Sequence, residues 1–457
     1  MDPAFSPAVG QLLTFAVLGI VVLLVLIMKF KMQPLVAILI AAIFIGLGVG
    51  MPLPMIVEAV NKGMGRTLQG IALLVGLGSM FGAILELSGG AEAIATTLVN
   101  KFGEKKAVWS LGVTGLIVAI PVFFDAGLVI LIPLAYSLAK KTKKSTLLYG
   151  IPLLSGLAVG HAFIPPTPGP ILVAGIMGVD LGLVILVGII CGIPSMVGGV
   201  LWGKYVGNKY HIPVPEHALA TMDLSKENRK MPSFISVLAI ILVPLLLIVI
   251  NTVCATLVKG GNEFLKPIMP ILNFIGTPFI ALIIAVLLAL VILGIRNGYS
   301  TKELEKVMTK SLEPAGIILL VTAGGGVLRY MLEDSGIGAV IGTFVAANSL
   351  PLILVAFLVA FFVRISVGSA TVAMTMAAGI IAAMPGLSAV SPLDTACIVM
   401  AIAGGATACS HVNDSGFWLV KSFFELDEKL TLKTWTIMET IVGTTGFLVA
   451  CIISLIF

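Results

Sequence analysis

Long apolar runs separated by short polar loops make up most of this 457-residue chain. A run of about twenty apolar residues crosses a hydrocarbon core of about 30 Å as a helix. The pattern predicts an all-α polytopic membrane protein with about ten transmembrane helices. These predicted spans lie at 8–28, 34–51, 67–88, 146–164, 181–203, 233–253, 276–295, 314–332, 392–411 and 434–457.

Two further apolar segments are interrupted before either arm is long enough to span. The first, 107–139, breaks at 121–127 around Asp125, and lysines flank both of its outer ends. The second, 351–384, breaks at 364–370, and its flanks contain no lysine or arginine. Because lysine-rich loops mark the cytoplasmic side of a membrane protein, we expect two re-entrant hairpins that enter from opposite faces.

Two other segments contain strings that a regular helix does not tolerate. In 146–180, four prolines surround Thr167 and Gly169, and each proline removes a backbone hydrogen bond. In 392–420, the polar string 410–416 interrupts an apolar run. Unwound backbone at membrane depth is tolerated only where it lines a cavity or is buried in protein, so we expect two broken helices.

The second half of the chain repeats the order of elements in the first. Residues 70–78 match residues 316–324 at six of nine positions, and a hairpin and a broken helix follow in each half. The opposite charge of the hairpin flanks indicates an inverted-topology repeat with both termini outside. Each repeat has five spans and one hairpin, which divides the chain into a first repeat (1–203), a cytoplasmic linker (204–232) and a second repeat (233–457).

Composition supports this class and removes several others. Hydrophobic residues make up 59% of the chain, charged residues 11%, and the mean hydropathy is +1.15. The net charge of +5 comes from loop residues, so we expect lipid and no nucleic acid as a partner. The five cysteines are scattered and give no disulfide framework. His161 and His411 are far apart in sequence and give no metal-ligand spacing, so no cofactor or metal is expected.

The four interruptions indicate the chemistry. Where half-helices start near the midplane, their free N–H groups and positive dipole ends favour an anion, and neighbouring Ser, Thr and Asn side chains suit hydroxyl groups. This predicts a secondary transporter rather than an enzyme or a channel. A channel needs a polar stripe along several spans. A hydrolase needs a nucleophile beside its base, and the adjacent Ser410 and His411 do not face each other on a helix.

Four strings, 122–127, 161–170, 368–373 and 410–418, resemble the gluconate permease (gluconate:proton symporter) family, and the resemblance extends over essentially the whole chain. It implies proton-coupled, elevator-like import of gluconate or a related sugar acid by a homodimer in a bacterial inner membrane. Many members have Glu where this chain has Asp125, and His where it has Thr167. Sodium-coupled transport of an organic anion, or transport of D-serine or another small hydroxycarboxylate, stays open.

Roles follow as hypotheses. Asp125 and Asp414 are the proton-coupling candidates, because dehydration favours the neutral form of a carboxyl group; each could instead cap a helix. Arg364 could clamp a substrate carboxylate or pair with a neighbouring acid. Glu439 is expected to be an ordinary charge near a span end. The other predicted substrate-binding residues are Phe124, Gly127, His161, Thr167, Gly169, Ser366, Gly368, Ser369, Thr371, His411, Asn413 and Ser415.

Overall fold

The computed structural model describes residues 7–103, 106–215, 231–337, 340, 343, 350–384, 387, 390–412 and 414–456. Regular structure in these residues is helical, and no strand occurs among them. The predicted all-α class is therefore confirmed for the described chain. The predicted binding residue Asn413 lies outside the described residues.

Nine helices form the first half of the described chain. They are α1 Val9–Met28, α2 Pro34–Gly48, α3 Leu53–Leu87, α4 Gly90–Phe102, α5 Ala107–Ala119, α6 Phe124–Thr142, α7 Thr146–Phe163, α8 Pro168–Met177 and α9 Leu181–Lys209.

The second half has helices of comparable lengths. They are α10 Phe234–Lys259, α11 Met269–Ile275, α12 Pro278–Leu288, α13 Thr301–Asp334, α14 Leu352–Val367, α15 Ala370–Ala382, α16 Pro392–Thr407, α17 Ser415–Phe423, α18 Glu428–Thr431 and α19 Ile437–Ile456. The π-helical segment Leu432–Thr436 joins α18 to α19 without a break, and another, Ala289–Gly294, continues α12.

Helices α3 and α13 are longer than the spans predicted at 67–88 and 314–332. Both begin more than a turn earlier, α13 at a capping box in which Ser300 and Glu303 satisfy each other's backbone N–H groups. The extra turns are charged, and they are stabilised where the two helices pack together. Lys62 Nζ of α3 lies 3.4 Å from Asp334 Oδ1 of α13, so this charge has a partner on the neighbouring helix.

Eight helical stretches of the described chain are long and apolar enough to cross a membrane. The helices at the predicted spans 34–51 and 392–411 have only 15 and 16 residues, so the number ten stays a prediction. The polar segment 89–105, which the sequence predicts to lie flat at the interface, contains helix α4, and Ile94 of this helix is fully buried; its orientation stays a prediction.

Each predicted interruption falls between two helices, with shifted boundaries. The first hairpin breaks at 120–123, because α6 already begins at Phe124. The second breaks only at Gly368 and Ser369, so Arg364 and Ser366 lie within the last turn of α14 instead of in the break. Gly368 has φ of +82°, a left-handed conformation that ends α14 and that glycine adopts without strain.

Helix α7 lies at the centre of the molecule. Seventeen of its 18 residues are buried, and it contacts α5, α6, α8, α9, α16 and α19. Small residues let the backbones approach closely. A Cβ atom added at Gly156 would lie 1.9 Å from the carbonyl oxygen of Gly112 on α5. Helix α7 is therefore enclosed by six neighbouring helices, and His161 lies in its last turn.

Candidate functional site

A cavity of about 510 Å³ opens where the interrupted helices meet. The start of α6, the end of α7, the α14–α15 turn and the start of α17 line it, together with parts of α13 and α19. Nine predicted site residues lie in this lining. They are Phe124, Asp125, His161, Arg364, Gly368, Ser369, Thr371, Asp414 and Ser415.

The fixed positive charge of the cavity is Arg364, which is 3% exposed. Its Nη2 atom donates to Oδ2 of Asp414 in a buried ion pair. Its Nε and Nη1 atoms are buried and have no hydrogen-bond partner among the described residues. A buried donor without a partner costs about 1–3 kcal/mol, so these two nitrogens favour an acceptor that enters the cavity.

Three groups hold Asp414 directly. Besides Arg364, Ser410 Oγ donates to its Oδ2, and the backbone N–H of Gly416 donates to its Oδ1 at 3.1 Å, which caps α17. Trp435 Nε1 in turn donates to Ser410 Oγ at 2.8 Å. Asp414 is therefore both a helix cap and the partner of Arg364, two alternatives that the sequence left open.

Asp125 lies in the first turn of α6 and faces the cavity, but it is exposed. The dehydration expected at the hairpin tip is therefore incomplete, because the tip borders open space rather than packed protein. The neighbouring Phe124 packs against Trp435, with ring centroids 5.4 Å apart. This aromatic pair joins the hairpin to the π-helical segment before α19.

Three half-helices begin at the cavity wall. The starts of α6, α15 and α17 contribute Asp125, Thr371 and Ser415 to the lining. Ser369 caps α15 by accepting from the N–H of Val372 at 3.4 Å. Three helix N-termini and one arginine around the same space make it attractive to an anion.

The fourth half-helix, α8, begins outside the main cavity. Thr167 lines a much smaller neighbouring pocket, and its Oγ1 donates to the carbonyl of Ile164 at 2.9 Å. Gly169 packs against Met374, whose Sδ would lie 2.7 Å from an added Cβ atom. The proline string thus shapes the wall behind the cavity rather than its surface.

Three further predicted residues also lie outside the lining. Gly127 packs against Leu157, whose Cδ2 would lie 2.8 Å from an added Cβ atom. Ser366 Oγ donates to the carbonyl of Phe362 at 2.8 Å, within its own helix. His411 is in the α16–α17 break and does not line the cavity. No group of three metal-ligating side chains occurs among the described residues.

Glu439 lines the cavity, contrary to the expectation of an ordinary charge near a span end. It is 4% exposed, and its Oε1 has no hydrogen-bond partner among the described residues. The reason is the helix boundary. The helical stretch begins at Glu428 rather than near residue 434, which places Glu439 about 16 Å inside it.

His161 and four neutral polar side chains complete the lining. His161 ends α7, and its buried Nδ1 has no partner in the described part of the chain. No sequence pattern pointed to the other four, since single polar residues within apolar helices are common. They are Gln33, Thr322, Thr375 and Thr407.

Comparison with known proteins gives whole-chain matches. The model of the GntP family permeases matches residues 11–456. The low-affinity gluconate transporter of Escherichia coli K12 is 39% identical over 443 residues, covering 96% of this chain and 97% of that protein. The gluconate permease of Pseudomonas aeruginosa is 37% identical over 98% of both. The crystal structure of the Alcanivorax borkumensis YdaH transporter, at 14% identity, covers 87% of each chain with a TM-score of 0.61, which shows a similar fold.

Proposed function

We propose, from the premise that this chain belongs to the GntP family of permeases, that it is a secondary transporter importing gluconate or a closely related sugar acid. The family predicted from the four sequence strings is thereby confirmed. Proton coupling is part of the proposal, and a bacterial inner membrane is the location that fits it.

The observation that carries the proposal is the pair of unpartnered guanidinium nitrogens of Arg364. Nε and Nη1 lack partners in the described structure, and Arg364 lies in a lining that includes three helix N-termini. The two nitrogens point in different directions in the guanidinium plane, so each offers a separate charge-assisted N–H bond to the carboxylate of a sugar acid. The cavity volume of 510 Å³ lies within the range of roughly 300–1,000 Å³ usual for small-molecule sites.

The hydroxyl groups of a sugar acid would bind the polar side chains of the lining. Four of these lie in the same cavity as Arg364, namely Ser369, Thr371, His161 and Ser415. Hydroxyl side chains both donate and accept, which suits a polyhydroxy chain. In this proposal, three predicted residues outside the lining support the walls of the cavity and do not touch the substrate: Thr167, Gly127 and Gly169.

We also propose that transport proceeds by alternating access, with the two hairpins moving as part of one elevator-like unit. The paired interruptions, α5–α6 with α14–α15 and α7–α8 with α16–α17, support two inverted repeats. Outside termini, a cytoplasmic loop at 204–232 and a homodimer complete the proposal. In this proposal, the substrate binds in the membrane-embedded cavity and is carried by the moving unit.

Labelled gluconate uptake into proteoliposomes tests the function. With the outside more acidic than the lumen, we expect gluconate to accumulate above its external concentration. With equal pH and an inward sodium gradient, we expect only equilibration. Accumulation driven by sodium alone would show that sodium, not the proton, is the coupling ion. No uptake under either gradient would refute gluconate as substrate. Empty liposomes measure leakage.

Asp125→Asn tests the hairpin tip. Its exposed carboxyl group is placed to pass protons between water and the cavity, and a positioned proton-transfer group contributes about a hundredfold or more in rate. We expect the initial rate of proton-driven uptake to fall at least tenfold, while exchange of internal for external gluconate continues. Glu86→Gln, which changes an exposed carboxyl of α3 outside the cavity, is the control. An unchanged rate in Asp125→Asn would contradict this role.

A further inference from the structure

Glu439 is the buried acid of the cavity that the proposed coupling scheme has not used. We propose that Glu439 must take up a proton before the substrate anion binds beside Arg364, so that this carboxyl links substrate affinity to pH. The proposal rests on the proposed anion transport. It adds an order of binding, proton first and anion second, and a residue that enforces it.

The charge balance of the cavity leads to this order. Three carboxyl groups, those of Asp125, Asp414 and Glu439, line it together with one guanidinium group. Arg364 and Asp414 neutralise each other in their ion pair. Asp125 is exposed and can remain hydrated. The charge of Glu439 is the one on a buried side chain, 4% exposed, whose Oε1 receives no hydrogen bond from the described residues.

A second anion makes an ionised Glu439 still more unfavourable. Burial of an unpaired carboxylate costs several kcal/mol, and like charges in one dry site repel each other strongly. A proton on one carboxylate oxygen of Glu439 forms a neutral acid, which removes the repulsion. The new O–H group can also donate to a substrate oxygen, which an ionised carboxylate cannot do.

The surrounding groups are consistent with a substrate-linked role. Facing the cavity with Glu439 are Arg364 on α14, Asp414 before α17 and His161 on α7, with Asp125 on α6 across the space. Cys409 also packs on α19 beside Glu439, with its backbone N–H on Thr440, and further ionisable groups lie at the far end of the helix. Asp394 on α16 accepts from Ser454 there, and the thiols of Cys191 and Cys397 lie near Cys451, which is about 18 Å along the helix from Glu439.

The position of Glu439 is also fixed by its neighbours in sequence. Trp435 and Thr436 bond to Ser410, and Thr440 Oγ1 accepts the N–H of Cys409 at 3.1 Å. These bonds clamp one face of the helical stretch to the α16–α17 break, which carries the partner of Arg364. Glu439 therefore keeps a fixed position relative to the Arg364–Asp414 pair.

The test is the pH dependence of gluconate affinity, measured by calorimetry on purified full-length protein. One linked proton makes the apparent Kd of the wild type rise about tenfold per pH unit above the protonation midpoint. Glutamine imitates the protonated acid in shape and charge, so Glu439→Gln is expected to bind with a pH-independent Kd near the acidic wild-type value. Glu86→Gln should keep the wild-type slope, since this carboxyl lies outside the cavity.

Each other outcome has a defined meaning. A wild-type slope in Glu439→Gln overturns the proposal, and loss of the slope in Asp125→Asn instead assigns the proton to Asp125. If Glu439→Gln does not fold, Glu439→Asp decides: a shifted midpoint supports the proposal and an unchanged one overturns it.

If the wild type binds no gluconate at any pH, the proposed substrate fails separately. Infrared difference spectra between acidic and alkaline pH still test Glu439, because its carboxyl C=O band should disappear in Glu439→Gln.

Discussion

Arg364→Gln is expected to weaken gluconate binding by at least about a hundredfold. The variant removes the two free guanidinium nitrogens that face the cavity, and loss of one partner of a buried charge pair costs about 2–5 kcal/mol. It also leaves Asp414 buried without its cation. The apparent Kd, measured at acidic pH where the wild type binds best, reports the loss.

Matched variants separate binding from folding. Arg364→Gln combined with Asp414→Asn removes the unpaired carboxylate, so we expect it to restore protein yield without restoring affinity. Arg364→Lys keeps the charge but loses the planar fork, and an intermediate affinity is expected. Arg296→Gln, at an exposed arginine outside the cavity, should bind as the wild type does. Full affinity in Arg364→Gln would remove this residue from the substrate site.

Gly156→Ala is expected to be the most destabilising single-methyl change in the first half of the chain. Its Cβ atom would lie 1.9 Å from the Gly112 carbonyl oxygen and 2.6 Å from the Leu116 nitrogen, so α7 and α5 must separate. Overpacking of this kind costs about 1–3 kcal/mol or more.

The measurement is thermal unfolding of the detergent-purified variant, with yield as a second readout. Gly70→Ala is the matched control, because a Cβ atom there meets nothing within 4 Å. A helical Gly→Ala change in open space is neutral or stabilising by about 0.5–1 kcal/mol. Equal melting temperatures for the two variants would mean that α5 and α7 are not held in backbone contact.

The interruptions were predictable because their causes are local. Prolines at 165–170 cannot continue a helix, and the polar strings around Asp125 and Asp414 are conspicuous in apolar sequence. The position of Arg364 within α14 was not predictable in the same way. The break is set by the left-handed conformation of Gly368, and nothing in the preceding residues requires the helix to end earlier.

Glu439 was misjudged for a different reason. A carboxyl group a few residues after lysines looks like the boundary of a span, and only the added turns from Glu428 place it inside. Likewise, the ion pair between Lys62 on α3 and Asp334 on α13 joins residues that are 272 positions apart. Such pairs are properties of the folded protein, and no local sequence pattern reveals them.

The enclosed position of α7 has a consequence for biogenesis. This helix belongs to the first half of the chain, yet α16 and α19, which come from the second half, complete its surroundings. Until those helices are synthesised, the small-residue surfaces of α7 must face lipid or an insertion factor. The two halves therefore resemble each other in sequence without being able to mature independently, and the amino-terminal half stays an assembly intermediate until the carboxyl-terminal helices arrive.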